Sequence, residues 1–597
     1  MKKVFLYLSA PTLVLAIFTI IFQLWKVDLT QPAFDYEGDS LFSIFVVRTI
    51  IETGWIFSNP SVGFPYEFVL HDFPIHTDFS NFLLLKFFSY FSSNPFLIVN
   101  LFFIASFALV ALSAFYVLRS FSISYFTSLI FATLYSFASY HLMRSVAHLS
   151  LSNYFLAPLV IMVAIWIANE EIEVISRNKK QCLTVSNNKK LLATFLISVI
   201  AATNGIYYAF FSIIIFILAL LLAYLKKGKL ITARSVVVPI FIILIATIVL
   251  YLNLPSSVYW LKHGPSHLAS RTPYESELFA LRINSLLLPV ANHYLDCLAN
   301  IRDSFNNLTT QNDESGAESL GIIGSIGLLF LFFWTIFSNR SEENSVFQKI
   351  LKKFSLDSKD QNFISDLAAL NISLILFFTS GGLIMFFAIK FPHIRSHARI
   401  SIFISFICLT AIALLCDKIR QKNYRLTTAV FLTLFAFGIF DQVGRISIGS
   451  GNPHSLIIQS DEMKKRFNYD KTFFSDVEKS LPQKSAIFIF PVQNFPEGKS
   501  YHSLTPYLHS KNLLWSFPTI TRRENSIWQQ SYYKKNFKEF FGEMKKFNFS
   551  AVVIDHKLYI GNKDLTVLAK LEAQLGSQIK KPPILSQNGD WAFYQIK

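Results

Sequence analysis

Charged residues are scarce in this chain. Only 15% of its 597 residues are charged, whereas 52% are hydrophobic and 16% aromatic, and the mean hydropathy is +0.43. So little charge over this length excludes a soluble protein. The aromatic and apolar content, which includes 63 phenylalanines, is typical of a chain that packs against lipid and at the membrane interface.

Cysteines and nucleotide-binding signatures are also lacking. The four cysteines show no CxxC spacing, and none follows residue 444, so the C-terminal part is not a disulfide scaffold. No P-loop, GxSxG, HExxH or Rossmann glycine pattern occurs where its chemistry would need it, which argues against an ATP-driven pump. The net charge of +16 arises mostly from short loops between apolar runs, which argues against nucleic-acid binding.

Apolar runs of a length suited to crossing a bilayer dominate residues 1–444. We count eleven, and the weakest is 190–203, because it is short and ends at Asn204-Gly205, so that 190–225 is alternatively one broken hairpin or a re-entrant pair. The runs cover residues 4–25, 95–118, 124–142, 150–168, 190–203, 206–225, 234–253, 319–338, 367–389, 399–416 and 425–444.

Basic residues predict the orientation of these runs. The loops near residues 177–190, 226–234, 340–359 and 418–425 are rich in Lys and Arg and lie on the same side as Lys2 and Lys3. The positive-inside rule makes that side cytoplasmic. The first run has no small-x-small cleavage site, which predicts a retained anchor with a cytoplasmic N-terminus. We therefore expect a polytopic protein of the bacterial cytoplasmic membrane.

Three segments are then expected outside: an acidic first loop (26–94), a second loop (254–318) and the C-terminal region (445–597). The C-terminal region is less apolar and contains β-type runs at 486–490 and 551–554, with an amphipathic helix over 536–548 between them. The sequence predicts a helical transmembrane domain over 1–444 and an extracytoplasmic α/β domain over 445–597. The basic surface of this domain suits anionic lipid heads or an anionic glycan, or it serves solubility alone.

The first loop is the best candidate for an active site. It holds eight acids against three bases in an otherwise basic protein. Carboxylates at a bilayer surface are costly unless they bind a cation or do proton chemistry. Asp35 and Asp39 share one face if the stretch is helical, or meet through a turn at Gly38. Either carboxylate can act as a general base toward a hydroxyl, or hold a divalent cation such as Mg²⁺ or Mn²⁺ that steadies a phosphate leaving group. The alternative is a helix cap and a solvated acid.

A second acidic group lies further along the first loop. Asp72 and Asp78 stand near His71 and His76, a set of residue types that can ligate a metal, although the spacing matches no sharp template. The alternative is a loop that packs against the membrane surface.

Two basic clusters are expected on the same side as these acids. Arg144 and His148 lie one helical turn apart and form a candidate phosphate clamp. Arg395, His397 and Arg399 precede the run 399–416, where the start of a helix adds to an anion site. The alternatives are interfacial snorkelling for the first cluster and a structural salt bridge for the second.

Together these features resemble the GT-C superfamily of membrane glycosyltransferases, and more closely a group of large bacterial membrane proteins described as sugar translocases or GT-C transferases. The resemblance spans nearly the whole chain. It is carried by Asp35 to Asp39, Glu52 to Trp55 with Asn59-Pro60, Asp72 to Pro74 with Asp78, Arg144 with His148-Leu149, Arg271 to Glu275, Arg395 to Ser401, Phe495 to Glu497 and Leu514 to Ser516.

The resemblance implies a transferase that takes a sugar from a polyprenyl-phosphate carrier on the non-cytoplasmic face. It implies a first-loop aspartate as catalytic base, without fixing whether it is Asp35 or Asp39. We prefer Asp39, with Asp35 or Asp78 in support, and add Arg271 to the phosphate-binding candidates. The expected partners are membrane lipids, the lipid-linked sugar and a glycan, lipid or protein acceptor. The alternatives are a flippase of lipid-linked sugars and a non-catalytic assembly protein.

Overall fold

A computed structural model describes residues 2–172, 175–177, 183–185, 189–228, 237–266, 268, 271–310, 316–338, 354–422, 424–444, 459–498, 500–579 and 581–596. Several of the basic residues used to predict the orientation, at 179–180, 229–234 and 340–353, lie outside these ranges, as does Cys182.

Each of the eleven apolar runs overlaps a helix. Residues 190–203 and 206–225 become two separate helices, because the chain breaks at Asn204-Gly205. The helices that correspond to the runs are Lys2–Ile21, Pro95–Ser120, Tyr125–Ser136, Leu156–Ala168, Lys189–Thr203, Ile206–Lys227, Val237–Leu252, Gly321–Phe337, Ser358–Phe378, Ser401–Lys422 and Tyr424–Val443.

Four of these segments are each long and apolar enough to cross a membrane. A fifth crossing results if the two helices Val237–Leu252 and Leu254–His263, bent by 43°, are taken as one span. The four are Pro95–Ser120, Ile206–Lys227, Ser358–Phe378 and His397–Gln421, and shorter apolar helices cover Leu6–Ile21, Leu156–Ala168, Gly321–Phe337 and Thr428–Val443. The described residues thus form a multi-pass helical protein, whereas eleven crossings stay a prediction.

The boundaries predicted for the run 367–389 are wrong. The helix begins at Ser358, where Asp357 and Asp360 form a reciprocal capping box with the backbone, and ends at Phe378. Gly381, with φ of +69°, lies in the break before a short helix at Ile384–Ala388. The predicted run therefore extends across the end of one helix into the next. Apolar composition alone does not predict the capping residues or the glycine break that set these ends.

Close helix packing in the membrane part depends on small residues. Gly327 lies on the helix Gly321–Phe337, and a Cβ there would come within 2.9 Å of the carbonyl carbon of Cys408. Glycine at this position lets that helix approach Ser401–Lys422 closely, as small residues do between membrane helices.

The first loop is largely ordered secondary structure. It contains the helix Gly38–Thr53, which we call the loop helix, and a second helix, Phe79–Ser89. Between them, strands β1 (Ser58–Asn59) and β2 (Phe68–Val69) pair in antiparallel fashion. Another antiparallel pair, β3 (Ile175–Arg177) and β4 (Leu183–Val185), lies in a connection between membrane helices.

The second loop is mostly helical. Its helices are Leu254–His263, Pro273–Leu278, Ile283–Leu287 and Asp296–Leu308. Short helices also occur at Ser139–Arg144 and Leu149–Ser152, where the predicted runs 124–142 and 150–168 are interrupted.

The C-terminal region contains the predicted α/β structure. Its strands are β5 (Ala486–Phe490), β6 (Leu514–Trp515), β7 (Phe549–Asp555), β8 (Ile584–Leu585) and β9 (Trp591–Gln595), in the order β6-β5-β7-β9-β8. Strand β5 runs parallel to β6 and β7, while β9 runs antiparallel to β7 and β8. Its helices are Asp461–Ser480, Thr505–His509, Glu524–Gln530, Phe537–Lys546, His556–Gly561 and Leu565–Gln578.

Both faces of this sheet are buried. On β5, Ile487 and Ile489 join the apolar core that is continuous with the membrane part, while Phe488 and Phe490 face a second core under the helix Phe537–Lys546. Because successive strand residues point to opposite faces, a strand covered on both sides is apolar throughout. One face of the C-terminal sheet is thereby packed toward the first loop.

Candidate active site in the first loop

A left-handed glycine separates the two leading carboxylates. Gly38 adopts φ of +48° at the start of the loop helix, so Asp35 precedes the helix and Asp39 lies in its first turn. Asp35 accepts hydrogen bonds from the Tyr36 backbone N–H at 2.7 Å and from the Ser40 hydroxyl at 2.6 Å. Burial raises the pKa of Asp35 and these hydrogen bonds partly oppose it. The turn at Gly38 is thus the arrangement found, and Asp35 is held by the backbone around it.

Asp39 points away from these bonds and toward His148. Its Oδ2 lies 3.5 Å from Nε2 of His148, with the Asp39 side chain 49% exposed. Partial removal from water raises the pKa of Asp39, and repulsion from Asp35 adds to the shift. Asp39 combines access with a raised pKa, which are the two properties that a general base toward a hydroxyl needs.

The third carboxylate, Asp78, lies at the start of the second helix of the first loop. Burial raises its pKa to about 7, against opposing effects of a hydrogen bond from Ser150 and the charge of Arg399. Gly205, with φ of +121°, approaches so closely that a Cβ there would lie 2.8 Å from Oδ1 of Asp78. The break at Asn204-Gly205 therefore makes room for this carboxylate.

One short segment connects Asp39 to Asp78. His148, beside Asp39, and Ser150, bonded to Asp78, are two residues apart and so within about 7 Å along the backbone. The hydroxyl of Tyr208 fixes this segment by donating to the carbonyl of Leu151 at 2.6 Å. We call Asp39, His148, Asp78 and Arg399 the acidic site, since the structure gathers these four predicted residues around one segment.

Arg399 brings a positive charge to this site. Its guanidinium lies 4.2 Å from the ring centre of Tyr207 and interacts with the charge of Asp78. The stacking on Tyr207 helps to hold the guanidinium in place. Arg399 is thus the predicted arginine ligand of phosphate whose charge acts on Asp78.

Arg144 lies deeper. It is 5% exposed, with its guanidinium 5.1 Å from the ring centre of Tyr140. Burial raises the pKa of the neighbouring Glu318, and the charges of Arg144 and Arg302 partly lower it. The charges of two buried arginines thus act on one carboxylate, and Arg302 also interacts with Asp303.

Two predicted phosphate ligands lie together elsewhere. Arg395 pairs with Oε2 of Glu275 at 2.6 Å, and Arg271 approaches the same oxygen at 3.9 Å. The Arg395 guanidinium also stacks on Phe279 at 4.6 Å. These contacts fit the salt-bridge alternative for Arg395, and the phosphate role of both arginines stays a prediction.

His397 is not brought to the acidic site. Its side chain is 1% exposed, close to the rings of Phe210 and Phe378, and neither ring nitrogen has a hydrogen-bond partner among the described residues. In the part of the chain that the structure describes, no contact joins the imidazole to Asp39, Asp78 or Arg399, so anion binding by His397 stays a prediction.

Asp72 is occupied by other groups. Arg523 binds it through two nitrogens at 2.6 and 2.7 Å, and the Trp260 indole N–H donates at 2.7 Å. Within the described ranges, no group of three or more His, Cys, Asp or Glu side chains is arranged to hold a metal. A metal at Asp72 and Asp78 stays a prediction, and a paired Asp72 gives it no support.

A cavity of about 600 Å³ lies next to the acidic site. His76 and Phe79, which flank Asp78 in the chain, line it, and its other walls are mostly apolar and aromatic, including Trp55, Phe57, Tyr251 and Tyr259. Neither Asp39 nor Arg399 lines it. Lys262 and His263, two basic residues in the last turn of the helix Leu254–His263, also line it. A volume of this size is typical of ligand pockets.

Sequence reasoning missed several residues of the acidic site. Ser150 and Tyr207 hold Asp78 and Arg399, and Tyr501 of the C-terminal region lies near Asp39 and packs on Phe42 at 5.8 Å. None of them belongs to a motif, and the chain has 24 tyrosines. Only the proximity of Ser150 to the predicted His148 gave a usable signal.

Comparisons with known proteins give the following similarities. The family model described as "Domain of unknown function (DUF6311)" matches residues 80–358, which is less than half of the chain. No match was found among curated proteins. The archaeal oligosaccharyltransferase AglB from Archaeoglobus fulgidus, in complex with an inhibitory peptide and a dolichol-phosphate, is 12% identical, with 93% of this chain and 70% of that chain covered and a TM-score of 0.41.

A second solved structure, ArnT from Cupriavidus metallidurans bound to undecaprenyl phosphate, is 9% identical, with 98% of each chain covered and a TM-score of 0.40. At such TM-scores the likeness assigns no activity to this chain.

Proposed function

We propose that this chain is a membrane glycosyltransferase that moves a sugar from a polyprenyl-phosphate carrier to a hydroxyl of a cell-envelope glycan or lipid. The observation that carries the proposal is the acidic site, where an accessible carboxylate with a raised pKa, Asp39, and a buried carboxylate that interacts with the charge of Arg399, Asp78, contact the two ends of one short segment. Sugar transfer needs a base for the acceptor and a cation for the departing phosphate, and the site offers both.

In the proposed reaction, Asp39 accepts the proton of the acceptor hydroxyl as its oxygen attacks the anomeric carbon. The bond from that carbon to the phosphate oxygen breaks, and polyprenyl phosphate leaves with the electron pair. Attack from the face opposite to the leaving group inverts the anomeric centre. His148 orients Asp39, and the Arg399 guanidinium stabilises the charge that develops on the phosphate.

The mainly apolar cavity beside Asp78 supports a lipid-linked donor. Its aromatic walls suit the first isoprene units of a carrier, and Lys262 and His263 at one end of its lining suit a polar or anionic head. A soluble nucleotide-linked donor would gain little from such walls. The residues of this chain therefore favour a lipid carrier.

Asp39→Asn tests this function directly, because it keeps the shape of the side chain and removes the base. We expect transfer from radiolabelled undecaprenyl-phosphate-linked sugars to envelope glycan or lipid to fall by roughly 10²–10⁴-fold in the purified protein. Glu67→Gln, the same change at an exposed acid of the first loop, is the matched control and should leave the rate unchanged.

Near-normal transfer by Asp39→Asn would move the role of base to Asp35 or Asp78. Near-normal transfer by the Asn variants of all three would refute a transferase of this mechanism. Movement of the lipid-linked sugar across the bilayer without transfer would instead support the flippase alternative.

A further inference from the structure

We infer that the C-terminal region positions the catalytic carboxylate, with Tyr36 and Glu37 as the positioning residues and Asp470, His509, Arg466 and Lys557 as the groups that hold them. This inference rests on the proposed function of the acidic site. It concerns the residues that lead into the loop helix, since Tyr36 and Glu37 lie three and two residues before Asp39.

Tyr36 is held in a buried polar pocket made by the C-terminal region. Its side chain is 1% exposed, and its hydroxyl donates to Oδ2 of Asp470 at 3.1 Å and lies 2.6 Å from Nε2 of His509. The other carboxylate oxygen of Asp470 accepts from the Trp591 indole at 2.9 Å. Burial lowers the pKa of His509 to about 3, so the ring is neutral and can donate to the tyrosine oxygen.

These bonds fix the direction of the Tyr36 side chain. A buried hydroxyl with two partners cannot move without leaving polar groups unpaired, which is costly away from water. The ring is also packed edge-on against Phe467 at 5.8 Å. Tyr36 is therefore an anchor from the first loop into the C-terminal region.

Glu37 is held by two cations of the C-terminal region. Lys557 Nζ lies 3.0 Å from Oε1 of Glu37, and Arg466 pairs with the same oxygen. The cations come from separate elements, the helices His556–Gly561 and Asp461–Ser480. Burial raises the pKa of Glu37, but the two cations outweigh it and leave the pKa lowered, so the carboxylate is ionised at neutral pH.

The place of Glu37 at the start of a helix strengthens the inference. It is the N-cap residue of the loop helix, yet its side chain makes no cap hydrogen bond. An N-cap side chain normally bonds the first free backbone N–H groups of its helix. Here the carboxylate is directed to Arg466 and Lys557 instead, so the first turn that carries Asp39 is oriented from outside the first loop.

Docking of the C-terminal region does not depend on these contacts. Arg48, further along the loop helix, donates to the backbone carbonyls of Tyr507 and Ser510, and the Asn59 amide donates to the Tyr507 hydroxyl at 2.7 Å. Variants at Tyr36 and Glu37 should therefore leave the C-terminal region docked on the first loop and alter only the position of the residues just before Asp39. A displacement of about 1 Å at a catalytic group can cost about 10²-fold in rate.

The test uses the full chain in lipid nanodiscs, with the double variant Tyr36→Phe/Glu37→Gln. Two measurements are made: amide hydrogen exchange of residues 35–41, and transfer kinetics with radiolabelled undecaprenyl-phosphate-linked sugar. We expect exchange to become about tenfold faster, because hydrogen bonds that hold the segment are lost. We expect kcat to fall about 10- to 100-fold with KM for the donor unchanged.

Lys479→Gln is the matched control. Lys479 lies on the same helix as Arg466, but its pair with Asp476 at 3.1 Å is exposed and distant in sequence from the contacts to the first loop. This variant should change neither measurement. Arg466→Gln should lower kcat, and Arg466→Lys should restore part of it, since a lysine can still pair with Glu37.

Unchanged exchange and unchanged kcat in the double variant would overturn the inference. Faster exchange with a normal kcat would also overturn it, because the segment would then be held without effect on catalysis. Asp39→Asn separates the two proposals: a normal rate in that variant refutes the proposed role of Asp39, whereas the exchange measurement still decides whether the C-terminal region holds residues 35–41.

Discussion

Asp78 is a carboxylate of the acidic site whose pKa lies near neutral pH. Burial raises its pKa to about 7, with Ser150 and Arg399 acting in the opposite direction. It is therefore mostly protonated below pH 6 and mostly ionised above pH 8. The ionised form is stabilised by the charge of Arg399, whereas the protonated form is not. The protonation of Asp78 should therefore affect the pH dependence of sugar transfer.

We predict that kcat/KM for the lipid-linked donor rises with pH along a limb whose apparent pKa is about 7. The direction follows because a carboxyl group with a raised pKa gains its charge only as the pH passes that value. Asp78→Asn should abolish this limb and reduce the plateau. A limb at the same pH in Asp78→Asn, measured over pH 5–9, would assign the titration to another group.

At the level of single residues, the sequence was enough to select charged candidate site residues, but it did not predict which side chains they contact. Asp39 and His148 were both selected from the sequence, and they lie 3.5 Å apart. The pairing of Arg395 with Glu275 spans 120 residues and follows no local pattern, so an arginine next to a helix start was open to both anion binding and a salt bridge. Such partners become visible only when the fold is formed.

Arg523 joins three elements of the molecule. It binds Asp72 of the first loop, and it donates to the carbonyls of His263 at 2.6 Å and Gly264 at 3.2 Å, at the end of a second-loop helix. The carboxylate of Asp72 is 1% exposed, so the guanidinium is its main compensation. Removing one partner of a buried pair leaves an uncompensated charge.

We therefore predict that Arg523→Gln destabilises the chain by about 3–5 kcal/mol. The measurement is unfolding of the purified protein followed by tryptophan fluorescence, with Lys479→Gln as the control for loss of an exposed cation. The double variant Arg523→Gln/Asp72→Asn should recover part of the loss, since it removes the unpaired charge. A loss below about 1 kcal/mol in Arg523→Gln would mean that the Trp260 bond alone suffices for Asp72.

At the level of elements, apolar length predicted where helices lie but not where each begins. Residues 358–366 were assigned to a loop because they include Lys359, Asp360 and Asp366. In the structure these charges belong to a helix, because Lys418 pairs with Asp360 at 2.5 Å and Lys226 pairs with Asp366. The compensating cations come from other helices, and no window of sequence around 358–366 contains them.

In the whole molecule, the C-terminal region packs directly against the first loop. The sequence predicted a separate α/β domain, and its strands and its amphipathic helix are confirmed by the structure. The contacts to the first loop were not predicted, because short pairings such as the bridge between Val62 and Trp515 depend on tertiary approach. Since Arg48, Asp72 and Tyr36 all contact the C-terminal region, it must lie on the same side of the membrane as the first loop.

This shared side leads to a prediction about topology. The basic loops predict that the first loop lies outside the cytoplasm. A reporter enzyme fused after Lys597 should then be active only outside, and one inserted in 339–353 only inside. The native Cys297, exposed in the second loop, gives an independent probe. A membrane-impermeant maleimide applied to intact spheroplasts should label it, whereas Cys297→Ser should lose that label because Cys408 and Cys416 are buried. A C-terminal reporter active only in the cytoplasm, with Cys297 unlabelled, would place the acidic site on the inner face and contradict a donor used on the outer one.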